Sequence, residues 1–208
     1  MTDSKKTQSP GVTAEQHPLT PFYPANARIL FLGSFPPKRQ RWSMDFFYPN
    51  YQNDMWRIFG LVFFDDRNHF VDEVAGTFRK ESIIEFLISS RIAMYDMAEE
   101  VIRHRDNASD KDLEIVRPLD IAGVIARLPD LSAIVATGQK AAETLAEQLC
   151  AAGTETVCPK VGSHIPFSIH GRNMRIYRMP SSSRAYPLSL ERKAAIYGDM
   201  FSEIGIKG

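Results

Sequence analysis

The stretch "ARILFLGSFPPKRQRWSMDFFYPNYQNDMW", residues 27–56, decides how the rest of the chain is read. Its first seven residues are an apolar run closed by Gly33, the pattern of a strand buried on both faces. The run gives way to a loop of prolines, aromatics and amides, costly for a segment that only connects two elements. Such a loop makes sense as a site. Gly33 permits a tight turn, and the backbone amides of Ser34 and Phe35, ahead of Pro36, can face an anionic or carbonyl oxygen. In "FFYPNYQNDMW" five aromatics and three amide side chains share eleven residues. Aromatic faces stack on flat rings, and Asn or Gln amides read base edges by paired hydrogen bonds. The plainer alternative is an aromatic core with an Asn capping the next helix.

Outward from this loop the pattern alternates. "QNDMWRIFGLVF" has apolar residues at helical spacing, with Asn53 or Asp54 as a cap. A helix from Glu81 to about Ser89 leads into a short strand around Ile92 to Tyr95. "DIAGVIARLPD" is a short helix closed by Pro129, "LSAIVATG" is a second buried strand, and "QKAAETLAEQLCAAG" is a helix ending at Gly153. "IPFSIHGRNMRIYRMP" holds two strand-like runs joined at His170-Gly171-Arg172-Asn173, a hairpin signal. "LSLERKAAIYGDMFSEIG" is a final amphipathic helix, with Ser189 as its cap. Alternation of this kind predicts a three-layer α/β/α sandwich with a central, mostly parallel sheet. In such sheets ligands sit beyond the carboxyl ends of the strands. Residues 33–53, 137–140 and 180–187 leave those ends and are expected to converge on one cleft.

The 208 residues suffice for one domain with a full core, and no internal repeat or linker divides them. Residues 1–20 are polar, contain Pro and Gly, and read as a disordered tail, leaving 21–208 as a single domain. The tail has no apolar segment of a secretory signal, which places the protein in the cytoplasm, and no run approaches a membrane span. Cys150 and Cys158 match no zinc or redox spacing and read as reduced thiols.

Net formal charge is zero, which argues against a protein that coats nucleic acid. Basic residues nonetheless cluster at Lys38, Arg39 and Arg41. They cluster again from Arg172 to Lys193, where Glu191 is the single acid. Local patches on a neutral protein fit contact with a few phosphates. "MPSSSRAYPLSLERK" adds Ser181, Ser182 and Ser183, followed at once by Arg184, a combination suited to a phosphate near a helix N-terminus. The histidines show no HxH or HExxH spacing, so no metal is expected. A GxSxG elbow and a Walker loop are both missing from the sequence, which removes the commonest hydrolase and nucleoside-triphosphatase readings.

From about Ala27 to the final helix, these segments resemble the uracil-DNA glycosylase superfamily. "ILFLGSFPP" resembles its first motif and "MPSSSRAYPLSLERK" its second. The nearest branch is that of the hypoxanthine (deoxyinosine) DNA glycosylases, in which Tyr48, Asn50, Asn53 and Trp56 fall on matching places of the middle motif, and Pro180, Ser181 and Ser183 on those of the late one. The first motif here lacks the Asp or Asn that is catalytic in several other branches. The second has no histidine, and Arg184 and Tyr186 stand where the branch has Pro and Asn.

The resemblance implies a monomeric, cofactor-independent hydrolase acting on DNA that contains a deaminated base, uracil or hypoxanthine, and leaving an abasic site in base excision repair. It implies Asn53, or failing that Asn50, as the catalytic amide. Gly33, Ser34, Phe35, Pro36, Phe47 and Tyr48 would bind the flipped base. Ser181, Ser182, Ser183 and Arg184 would grip the backbone, and Tyr186 would fill the gap in the duplex. The alternative is a non-catalytic nucleic-acid or nucleobase-binding protein on the same fold.

Overall fold

A computed structural model describes residues 13–104 and 112–206. The central sheet is built from five strands: β2 (Ile29–Gly33), β5 (Ile92–Asp96), β8 (Ala133–Thr137), β9 (Ser163–Ile169) and β10 (Arg172–Met179). Their order across the sheet is β5-β2-β8-β10-β9. β2 runs parallel to both β5 and β8, β8 runs parallel to β10, and β9 closes the edge antiparallel. Every residue of β2, β5 and β8 is buried, the expected state of parallel strands covered on both faces. The β9–β10 hairpin turns through His170 and Gly171, both at positive φ. Arg172 and Asn173 already pair with Ile169 and Ser168, so the turn is two residues shorter than the predicted four.

Helices flank this sheet: α1 (Met55–Phe64), α2 (Lys80–Ser89), α3 (Ile121–Arg127), α4 (Gln139–Ala151) and α5 (Leu190–Ile204). Phe31 of β2 meets Phe59 of α1 and Phe201 of α5, and Phe63 packs on Phe201. That aromatic seam fixes the two helices against one face of the sheet. Apart from Arg57, whose guanidinium donates to the Tyr51 and Asn53 carbonyls, α1 carries no charge, and Trp56, Ile58 and Phe59 are fully buried. Ser189 caps α5 by accepting from the Arg192 N–H, as the sequence predicts.

Elements outside the predicted order also appear. β3 (Val71–Asp72) and β4 (Thr77–Phe78) form a small hairpin, and β1 (Glu15–Gln16), β6 (Ala98–Arg103) and β7 (Leu113–Pro118) form a separate three-stranded sheet. β1 corrects the disordered tail: residues 1–12 lie outside the described ones, but Glu15 and Gln16 pair with Val101 and Glu100 of β6, and Phe22 bridges to Met94. Sheet hydrogen bonds, His17 and the packing of Leu19 and Phe22 on the core hold the segment, contacts that its polar composition concealed. Among the described residues, no helix is long and apolar enough to cross a membrane.

Candidate active site

The loops leaving the carboxyl ends of the parallel strands meet, as the strand order requires. The Tyr48 hydroxyl lies 2.8 Å from Thr137 Oγ1 at the end of β8. Thr137 in turn donates to the Leu32 carbonyl of β2 at 3.3 Å, so the phenol is the donor to Thr137. Gly138, at φ 120°, starts α4, and a Cβ there would sit 3.8 Å from Ser181 Cβ. Asn53 forms an isolated bridge with Ser183, and Asp54 N–H donates to the Ser182 carbonyl at 2.9 Å. The three predicted segments thus form one continuous floor.

Tyr48 holds φ at 50°, a left-handed conformation that costs an aromatic residue of order 1 kcal/mol or more. The Thr137 bond and edge packing on Trp56 hold it there. Burial, then the Asp96 charge, pushes its phenol well above the ordinary tyrosine range. It therefore stays protonated, a fixed donor on a half-buried ring.

Beneath the loops lies a charge network that the sequence does not announce. Asp54 Oδ2 receives Lys193 Nζ at 2.9 Å and Oδ1 receives Arg184 Nε at 3.1 Å. Lys193 also donates to the Ser183 carbonyl, and Arg184 to Gln52 Oε1. Arg184, expected to grip phosphate, is partly exposed, and its guanidinium ties residues 52–54 to residues 183–184. Other members of the late basic run also bond within the chain. Arg172 bonds the Ile125 and Leu131 carbonyls, and Arg178 bonds Pro159 and Cys158. Arg172 and Arg178 are half-buried and Lys193 is buried, whereas Arg175, Arg184 and Arg192 stay exposed, so the linear cluster is only partly a surface patch. Arg39 and Arg41 are exposed, as is Lys38, with Arg39 stacked over Trp42 and paired with Asp45.

The other expected site residues divide. Gly33, Ser34, Pro36, Tyr48, Asn50 and Asn53 belong to the convergent loops. Asn53 Oδ1 accepts from the Met55 N–H at 2.9 Å, and Asn50 Oδ1 from the Gln52 N–H, so each amide oxygen is already engaged locally. Phe47 is only 3% exposed and packs among Phe46, Tyr95 and His17, which covers the ring expected to stack on a base. Phe35 packs on the Ala98–Val101–Leu113 cluster. Ser182 is buried, while the Ser181 and Ser183 hydroxyls accept from backbone amides of their own turn. Tyr186 is half-buried in that turn. A cavity of about 340 Å³ opens beside the first loop, lined by Glu15, Phe35, Pro36, Lys38, Arg39 and Trp42 among others.

Sequence reasoning missed Asp96 and His17. Asp96 ends β5, in register with Gly33 of β2. Its Oδ2 lies 2.9 Å from His17 Nε2. A Cβ on Gly33 would fall 2.3 Å from Asp96 Oδ1 and 3.7 Å from the Tyr48 hydroxyl; glycine leaves room for the Asp96 carboxylate, while the hydroxyl is at ordinary contact distance. An acid closing a buried strand, in "IAMYDM", was the available signal. His17 had none, because it falls in what reads as a tail.

No family model matches this sequence, and no curated protein does. Among solved structures, the chain is similar to the solution structure of "a putative Uracil DNA glycosylase from Methanosarcina acetivorans", with a TM-score of 0.58 and 19% identity. The match covers 93% of this chain and 99% of that one. At that identity the fold is what the two share: a mixed α/β fold with a central, mostly parallel sheet flanked by helices, over nearly the whole of both chains.

Proposed function

We propose that the protein is a monofunctional DNA glycosylase that hydrolyses the N-glycosidic bond of a deaminated base, uracil or hypoxanthine, and leaves an abasic site. The observation that carries this reading is the convergence of the Gly33 loop, the Tyr48–Asn53 loop and the Ser181–Ser183 turn beyond the parallel strand ends, on a fold shared with the archaeal structure. In this reading the target nucleotide is flipped out of the duplex. Tyr48 offers a half-buried ring and a fixed hydroxyl at the floor. Asn53, or Asn50, supplies amide contacts to water or base. Ser34 and Phe35 backbone amides face a base carbonyl as charge develops on it. Phosphates of the flipped nucleotide lie against the 181–183 turn, and Tyr186 enters the duplex. The protein acts as a monomer in the cytoplasm.

The test is incubation of the purified protein with duplex and single-stranded oligonucleotides carrying uracil, hypoxanthine or xanthine, followed by alkali. Scission at the damaged position supports the reading. A gel shift without scission replaces it with a non-catalytic nucleic-acid-binding protein. Neither result leaves an α/β protein acting on another ligand.

A further inference from the structure

We propose that Asp96 is the catalytic carboxylate of this site and that His17 is the positioning residue that holds it; this rests on the glycosylase reading. The loop after Gly33 runs Ser34, Phe35, Pro36, Pro37 and brings no acid to the strand end. The neighbouring strand does. Asp96 stands one strand over from Gly33, and Gly33 has no side chain at the point where Asp96 Oδ1 lies.

Among the acids near the floor, Asp96 alone has a suitable arrangement. Both oxygens of Asp54 are bonded to cations, and Glu99 pairs with Arg117. Asp96 gives one oxygen to His17, and its Oδ1 has no hydrogen-bond partner among the described residues. The side chain is nine-tenths buried. A carboxylate held by one oxygen and open at the other is suited to take a proton from a bound molecule.

His17 is itself 2% exposed and clamped between rings, with centroids at 5.1 Å from Phe35 and 4.5 Å from Tyr95. Its Nδ1 meets both the carbonyl and the N–H of Leu19, at 2.9 and 3.2 Å. It therefore has a partner in either protonation state, and Nε2 can donate to Asp96 throughout. Phe35 and Phe47 act here as the walls of the His17 slot. The other titratable groups facing Asp96 are phenols. Tyr48 and Tyr23 are raised above their ordinary range, chiefly by burial, and Tyr95 is raised to about 12. None of them exchanges a proton near neutrality.

In the reaction the C1′–N bond breaks with its electron pair going to the base. Water forms the new C1′–O bond and gives its proton to Asp96 Oδ1. Asp96 then returns that proton through solvent to the departed base anion. The same negative charge favours the cationic sugar while the bond is breaking.

The experiment compares single-turnover base release, DNA affinity and thermal midpoint across variants. Asp96→Asn keeps an acceptor for His17, so it should fold and bind duplex carrying 2′-fluoro-2′-deoxyuridine within about threefold of wild type. It should release every base that wild type releases on the order of a hundredfold more slowly or worse. His17→Phe should slow release, and His17→Gln, whose amide can donate to Asp96, should recover most of it. Formate added to Asp96→Ala should restore part of the rate, an outcome that a purely structural role does not produce. An Asp96→Asn rate within about threefold of wild type overturns the proposal while leaving the glycosylase reading intact. So does a loss confined to one base, which makes Asp96 a reader of the base edge. If wild type releases no base at all, the glycosylase reading fails and this inference falls with it.

Discussion

Lys193 places its ammonium 2.9 Å from Asp54 Oδ2, and the lysine side chain has no exposure to solvent. The pair joins the first turn of α5 to the start of α1 across 139 residues of sequence. It holds the middle loop and the late turn at a constant separation. Breaking one side of a buried pair leaves an uncompensated charge, which typically costs about 3–5 kcal/mol. Lys193→Met is expected to lower stability toward that range, reduced by the Arg184 contact that Asp54 retains. Combining it with Asp54→Asn should recover a large part. Urea denaturation of the two variants checks this, and a loss within about 0.5 kcal/mol for Lys193→Met would show that the pair does not brace the loops.

Asn53 has a local role that the structure shows, accepting from the Met55 N–H at the start of α1, and a catalytic role that we propose, and two substitutions separate them. Asn53→Asp keeps an acceptor for the Met55 N–H but has no amide donor. It should hold its thermal midpoint and lose base release by on the order of a hundredfold. Asn53→Ala should lose both the rate and roughly 1 kcal/mol of stability. Full activity in Asn53→Asp moves the amide role to Asn50.

The engagement of Arg184 with Asp54 and Gln52 changes which cations are expected to meet DNA. Arg184→Ala should leave the salt slope of DNA binding nearly unchanged. Arg41→Ala, in the exposed run beside the first loop, should lower the slope by about one unit. Measuring affinity over a range of salt concentrations decides between them, and the reverse pattern would return Arg184 to the backbone-contact role.

Gly33→Ala is expected to disturb the site more than the fold. The added Cβ meets Asp96 Oδ1 at 2.3 Å, and Asp96 is pinned by His17, so the carboxylate must rotate or the strand end must shift. We expect base release to fall by at least about tenfold with the thermal midpoint lowered only modestly. An unchanged rate would show that the carboxylate can move without consequence.

Tyr186 is stiffened by hydrogen bonds from its own N–H to Ser183 and from Leu188 N–H to its carbonyl. As a residue filling the gap left by a flipped nucleotide, it should matter on duplex and hardly at all on single strands. Tyr186→Ala is therefore expected to slow release from duplex selectively. An equal loss on both substrates, or a drop in thermal midpoint, makes Tyr186 a packing residue of its own turn.

Local pattern was enough for the parts of this protein that local physics governs. Residues 27–33 and 131–138 read as buried strands because apolar runs ended by glycine have few other solutions, and Ser189 reads as a cap from its place before an amphipathic helix. The strand-end rule predicts that the Gly33, Thr137 and Pro180 segments meet, and they do. What the sequence could not disclose was which polar groups find each other across long separations. Arg184 reads as a free cation until Asp54, 130 residues away, is placed beside it. His17 reads as part of a tail until β1 pairs with β6 and brings its ring to Asp96, 79 residues on. A charge in sequence carries no information about its partner, because burial and pairing are properties of the assembled core. Only the tertiary structure decided which cations are consumed inside the fold and which carboxylate is left with an open oxygen at its centre.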